Sequence, residues 1–197
     1  MITHPSLLGR RAFTGSTLSI VCLLTAGLTA GQVRNPFRGD KGPNYQTFKD
    51  PGGRFEVDYP TKDWRPLSTG GSSLAVFTSK DGPTLVVDHV RLTDRLTPGE
   101  IEVMADVEIA KLKDEQPKAR DFKPNKLETR AGPGVLIRYS RDGSGREVVV
   151  QGSVPVGQNL FRLNGVIPET QVSKFESIIV HMIESFKTPP EPAGAKK

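Results

Sequence analysis

Cysteine is nearly absent. The chain has one, Cys22, inside its most apolar stretch. With that stretch set aside, no disulfide and no thiolate chemistry is available, and a packed core must supply the stability. Histidine is scarce too: His4, His89 and His181 are the three. The last two alone are too few for a histidine metal site. There is no Gly-x-Ser-x-Gly elbow, no P-loop and no Gly-x-Gly-x-x-Gly. Gly143-Ser144-Gly145 falls in a hairpin turn, not between a strand and a helix. No apolar run reaches the roughly 20 residues that span a membrane. These absences exclude thiol enzymes and nucleotide-binding loops of the usual kinds, and the one apolar run fits a signal core better than a membrane span.

The N-terminus is present in unusual detail. Arg10 and Arg11 precede LSIVCLLTAGLTA, Leu18 to Ala30, which is short, apolar and uncharged. That pattern fits an export signal over residues 1–31, cut after Ala30 or Gly31, with Ala26 as an earlier site. An uncleaved anchor is the alternative. Gly9-Arg10-Arg11-Ala12-Phe13 partly matches a twin-arginine signal, and the general route fits equally. Cys22 lacks the small residues that would precede a lipidated cysteine, so it reads as signal core. Removing residues 1–31 takes two arginines and no acid, leaving 25 basic and 22 acidic side chains, net +3. Such balance gives no reason to expect nucleic acid. The expected location is across the cytoplasmic membrane, periplasmic or extracellular, or membrane-anchored if the signal is retained.

Residues 32–44, rich in Gly, Pro and charge, read as a flexible linker, and 188–197 as a disordered tail. The domain is then 45–187. Tyr45 to Lys49 reads as a strand, and Pro51-Gly52-Gly53 as its turn. Phe55, Val57 and Tyr59 alternate with Glu56 and Asp58, the period of a half-buried strand. Further strands are expected at Ser73 to Ser79 and Thr84 to Leu92. Thr97-Pro98-Gly99-Glu100 forms a capping box that opens a helix to about Glu115. Four strands follow: Asp121 to Arg130, Gly134 to Ser140, Glu147 to Val154 and Asn159 to Val166. Their short connections require antiparallel pairing. Val172, Phe175, Ile179, Met182, Ile183 and Phe186 then share one face of a last helix, placed at about 168–187. The class is α+β: an α-β-α sandwich, its antiparallel sheet flanked by helices at about 98–115 and 168–187.

Gly53-Arg54-Phe55-Glu56-Val57-Asp58-Tyr59-Pro60, with Trp64 shortly after, resembles the start of the PsbP-like family. The end is similar too: a strand with Leu160 and Phe161, then an amphipathic helix closing on Ser185-Phe186. The resemblance covers about Tyr45 to Lys187. It implies the same sandwich, the fold of photosystem II PsbP, of bacterial envelope proteins of the DcrB type and of a nuclear Ran-binding protein. It implies action by binding and transfers no catalytic residue and no cofactor. The expected function is an exported, non-enzymatic binding or accessory protein of the envelope with a protein partner. A small-ligand carrier, for a lipid or pigment held between sheet and helix, is the alternative. A hydrolase using Glu108 or His181 ranks last.

Two sets of residues are candidate sites. Glu108 falls on the helix face shared by Ile101, Met104, Ala105 and Leu112, so it is a candidate buried acid. Its simpler reading is a helix margin that reaches water, since unpaired glutamates are rarely buried. Lys111, Lys113, Lys118, Arg120, Lys123 and Lys126 form a basic segment suited to an acidic partner or anionic headgroups. Its simpler reading is a solvated surface with interleaved acids. His181 and Glu184 share a helix strip, again read as solvated. Trp64 is expected to cover the end of the core.

Overall fold

Alternating side chains build most of the described residues, and two segments among them carry a helical period. The computed structural model describes residues 43–67, 73–143 and 145–189. All belong to the compact unit Gly39–Lys197. The expected export signal, most of the linker, Ser144 and most of the tail lie outside the described residues.

The chain order is β1 (Tyr45–Lys49), β2 (Glu56–Pro60), β3 (Trp64–Leu67), β4 (Ala75–Ser79), β5 (Thr84–Arg91), α1 (Pro98–Glu115), β6 (Arg120–Thr129), β7 (Gly132–Asp142), β8 (Arg146–Val156), β9 (Asn159–Pro168) and α2 (Val172–Glu184). Strands β3-β4-β5-β9-β8-β7-β6 form one antiparallel sheet, and β1-β2 a separate hairpin. Turns sit where glycine permits positive φ, as at Gly53 (68°) and Gly157 (58°). Both outer strands of the large sheet carry a proline, Pro66 on β3 and Pro124 on β6. Proline cannot donate to a ladder, so these edges resist adding a further strand.

Side-chain alternation splits the core in two. On one face Leu85, Val87, Val148, Val150, Phe161 and Leu163 pack with Phe175, Ile179, Met182 and Ile183 of α2. Phe55, Val57 and Tyr59 join them, bringing the hairpin onto the helix side of the sheet. Gly152 and Gly165 interrupt β8 and β9 where Ile183 and Ile179 press closest; a Cβ at either would collide with an isoleucine methyl. On the other face Ile137, Tyr139 and Val149 meet Leu112, and Val135 and Leu160 meet Met104, both from α1. The molecule is therefore an α-β-α sandwich, of the expected α+β class.

The capping box at α1 is present: Glu100 N–H donates to Thr97 Oγ1 (3.3 Å), and Thr97 N–H to Glu100 Oε2 (2.7 Å). Two details differ from expectation. Pro168 does not open the last helix; it ends β9 opposite Glu147, and a 3-10 turn at Glu169–Gln171 precedes α2. A proline at a strand end loses no necessary donor, so either placement was open to it. Trp64 is buried, 5% exposed, and edge-on to Phe175 as expected of a core cover. It also begins β3, a strand that Pro66 disguised.

Candidate functional site: the cleft beside helix α1

The side of the sheet facing α1 is only partly covered. The helix lies against β7, leaving a cleft of about 360 Å³ over β5 and β9. Val86, Asp88, Arg162, Asn164 and Gln151 line its floor, and Glu108, Lys111 and Leu112 its helical wall. The floor is polar because β9 alternates: Phe161 and Leu163 point to the α2 core, which sends Arg162 and Asn164 to this side.

Glu108 is the centre of the cleft. It is 5% exposed. This corrects the expectation of a margin residue reaching water. The reason is a partner set: Arg162 Nη2 donates to Oε1 (2.7 Å), Arg162 Nε to Oε2 (3.1 Å), and Gln151 Nε2 to Oε2 (2.9 Å). Two-point guanidinium pairing offsets the cost of desolvating the carboxylate. Asp88 is the cross-strand neighbour of Arg162. Tyr139 lies deeper, and burial pushes its phenol above the usual range. The cleft thus presents fixed donors and acceptors interspersed with Val86, Leu112, Val149 and Val166. Both Glu108 oxygens are already engaged, which leaves it poorly placed to take a proton from a ligand.

The basic segment does not form one surface. Lys123 is paired with Arg138, which reaches Glu176 of α2, while Lys126 is paired with Val135 on the α1 side. The two lysines therefore project from opposite faces. Arg120 is bound to Asp142 through both terminal nitrogens (3.2 Å each). Lys113 lies 5.7 Å from the Phe122 ring, and Lys111 pairs with Glu115 at 3.5 Å. Lys118 is exposed. His181 lies against Tyr45, ring centroids 4.1 Å apart. Among the described residues no group of three or more His, Cys, Asp or Glu could hold a metal ion.

One surface feature escaped the sequence reading. Val103 and Val107, one turn apart on the outer side of α1, are 53% and 62% exposed. Their spacing was visible, but only the structure shows that they stay exposed among the described residues.

No family model matches the chain, and no curated protein matches it. Solved structures do. Cyanobacterial PsbP (CyanoP) from Synechocystis sp. PCC 6803 superposes with a TM-score of 0.57 at 13% identity, covering 77% of this chain and 96% of that one. The Saccharomyces cerevisiae Ran-binding protein Mog1p gives 0.52 at 11%, covering 74% and 96%. LpqN of Mycobacterium tuberculosis, described as involved in cell envelope biogenesis, gives 0.50 at 13%, covering 76% and 88%. Among the described residues no helix is long and apolar enough to cross a membrane. At these identities the likeness concerns architecture: the chain has the PsbP-like fold.

Proposed function

We propose that this chain is an exported, non-catalytic binding protein of the bacterial cell envelope that serves as an accessory to a protein partner. The observation that carries this reading is the α1 cleft, where the buried carboxylate is already closed by Arg162 and Gln151. Such a cluster fixes a shape and a pattern of donors, and both oxygens of Glu108 are engaged within it. Val103 and Val107 on the outer side of the same helix offer apolar area for a partner. The N-terminal segment, with its paired arginines and short apolar run, supports export. The same fold occurs in a Ran-binding protein and in a protein of envelope biogenesis, which fits a role exercised through binding.

The test is site-specific photo-crosslinking in cells of the source organism. A photoreactive residue at Val107 should trap one discrete partner in the envelope fraction, and one at Lys49 should not. Absence of any adduct, or equal adducts from both positions, would sink the proposal. A second reading is favoured by the volume of the cleft, which falls in the range of small-ligand sites. Native mass spectrometry of protein purified without denaturant then shows added mass, and a clean apo peak counts against it.

A further inference from the structure

Six charged side chains line the α1 cleft: Asp88, Glu108, Lys111, Glu115, Arg141 and Arg162. Five of them are paired. Arg162 Nη2 lies 2.7 Å from Glu108 Oε1, Lys111 Nζ 3.5 Å from Glu115 Oε1, and Arg141 Nε 2.9 Å from Glu147 Oε2. The sixth, Asp88, has no ion-pair partner among the described residues. Its cross-strand neighbour Arg162 is committed to Glu108 through Nε as well as Nη2. With Glu147 counted, four carboxylates face three cations, so the excess charge of the cleft is negative and sits on half-buried Asp88. Low-dielectric walls concentrate the field of such a charge.

Two amides stand beside it. Gln151 is 4% exposed and lines the cleft. A carboxylate only accepts, so the Gln151 nitrogen faces Glu108 (2.9 Å) and the carbonyl Oε1 faces away. That oxygen accepts no hydrogen bond from the described residues, and neither does the side chain of Asn164. A carbonyl on so buried a residue calls for a donor. Asn164 is the direct cross-strand partner of both Gln151 on β8 and Val86 on β5, and Asp88 is two residues from Val86. Opposite side chains stand about 5 Å apart and diagonal ones about 7–8 Å. Three adjacent strands thus bring a carboxylate and two amides to one patch of floor. A lone surface carboxylate would need no explanation; one that shares a hollow with an unanswered buried carbonyl does.

We propose that the α1 cleft binds a small organic ammonium ion with an apolar body. The proposal rests on the small-ligand reading of this cleft and adds the class of ligand. An ammonium group carries three donors and no acceptor, which matches acceptors at Asp88, Gln151 and Asn164. Val86, Val166 and Leu112 supply apolar contact for its carbon chain. Asp88 repels an anion, and a neutral molecule forgoes the charge-assisted bond.

The experiment is an NMR titration of the full chain with three probes sharing a six-carbon body: hexylamine, hexan-1-ol and hexanoate. Hexylamine should shift the amide signals of Val86, Asp88, Gln151 and Asn164, and bind about tenfold more tightly than the other two. Asp88→Asn keeps the shape of the side chain and should remove that advantage. Asp114→Asn, which deletes an equal charge on the exposed side of α1, should leave it intact. The amide spectrum of each variant verifies its fold. Hexan-1-ol or hexanoate binding these residues as tightly as hexylamine overturns the ammonium class and leaves the small-ligand reading standing. Equal hexylamine binding by the parent and Asp88→Asn overturns the proposal, as does the absence of any shift; native mass spectrometry of the purified protein then decides the small-ligand reading by itself.

Discussion

Glu108 and Arg162 are joined by two hydrogen bonds, 2.7 and 3.1 Å, across the seam between α1 and the sheet. The carboxylate is more enclosed than the guanidinium, with side-chain exposures of 7% and 18%. Removing the arginine therefore strands the more buried partner. Arg162→Met should destabilise the protein by about 3 kcal/mol in urea unfolding. Replacing both, Glu108→Leu with Arg162→Met, should recover most of that loss, because no charge is then left unpaired. Equal losses in the single and double variants would show that the pair is not coupled.

Gly165 makes room for Ile179. A Cβ at position 165 would meet Ile179 Cγ2 inside contact distance. Gly165→Ala should therefore cost about 1–3 kcal/mol, although alanine is ordinarily the better strand residue. Ile179→Leu removes the branch methyl at fault while keeping the volume. The double variant should be more stable than Gly165→Ala alone, as measured by thermal unfolding.

Ser185 ties the hairpin to the end of α2. Its hydroxyl donates to Met182 C=O (2.7 Å) and accepts from Asp58 N–H (2.9 Å). The residue is 3% exposed. Ser185→Ala deprives a part-buried N–H of its acceptor, a loss of about 1–2 kcal/mol. Hydrogen exchange at the Asp58 amide should accelerate in that variant. Unchanged protection there would mean that another group holds the hairpin.

What was legible in the sequence was whatever depends on neighbours in the chain. The alternation at Phe55, Val57 and Tyr59, the capping box at Thr97 and the stripe on α2 each lie within one element, and each predicted its element. β3 was missed because Pro66 argues against a strand, an argument that fails on an outer strand with one open side. Glu108 was visible on the apolar face of its helix, but the partner that lets it stay there lies on β9. The gathering of Arg54, Arg91, Arg95 and Arg130 at one hollow was illegible, since three distant segments supply them. Sequence shows periodicity within elements; charge pairs between elements appear only once the sheet is assembled.

Asp50 supplies the clearest pH dependence. Hydrogen bonds from the Arg54 side chain hold its carboxyl below the ordinary 3.8, even though burial opposes them. A depressed folded value contributes stability that is complete above the unfolded pKa. It is lost as pH falls through the lower folded value. Asp50→Asn removes that titration and keeps one acceptor oxygen. Arg54 is 44% exposed, which screens the pair, so the variant should lose about 1–2 kcal/mol at neutral pH. Below pH of about 4 the gap between parent and variant should narrow, because the unfolded chain's carboxyl then takes up a proton that the folded one accepts only at lower pH. A gap that stays constant down to acid would place the effect in packing rather than charge.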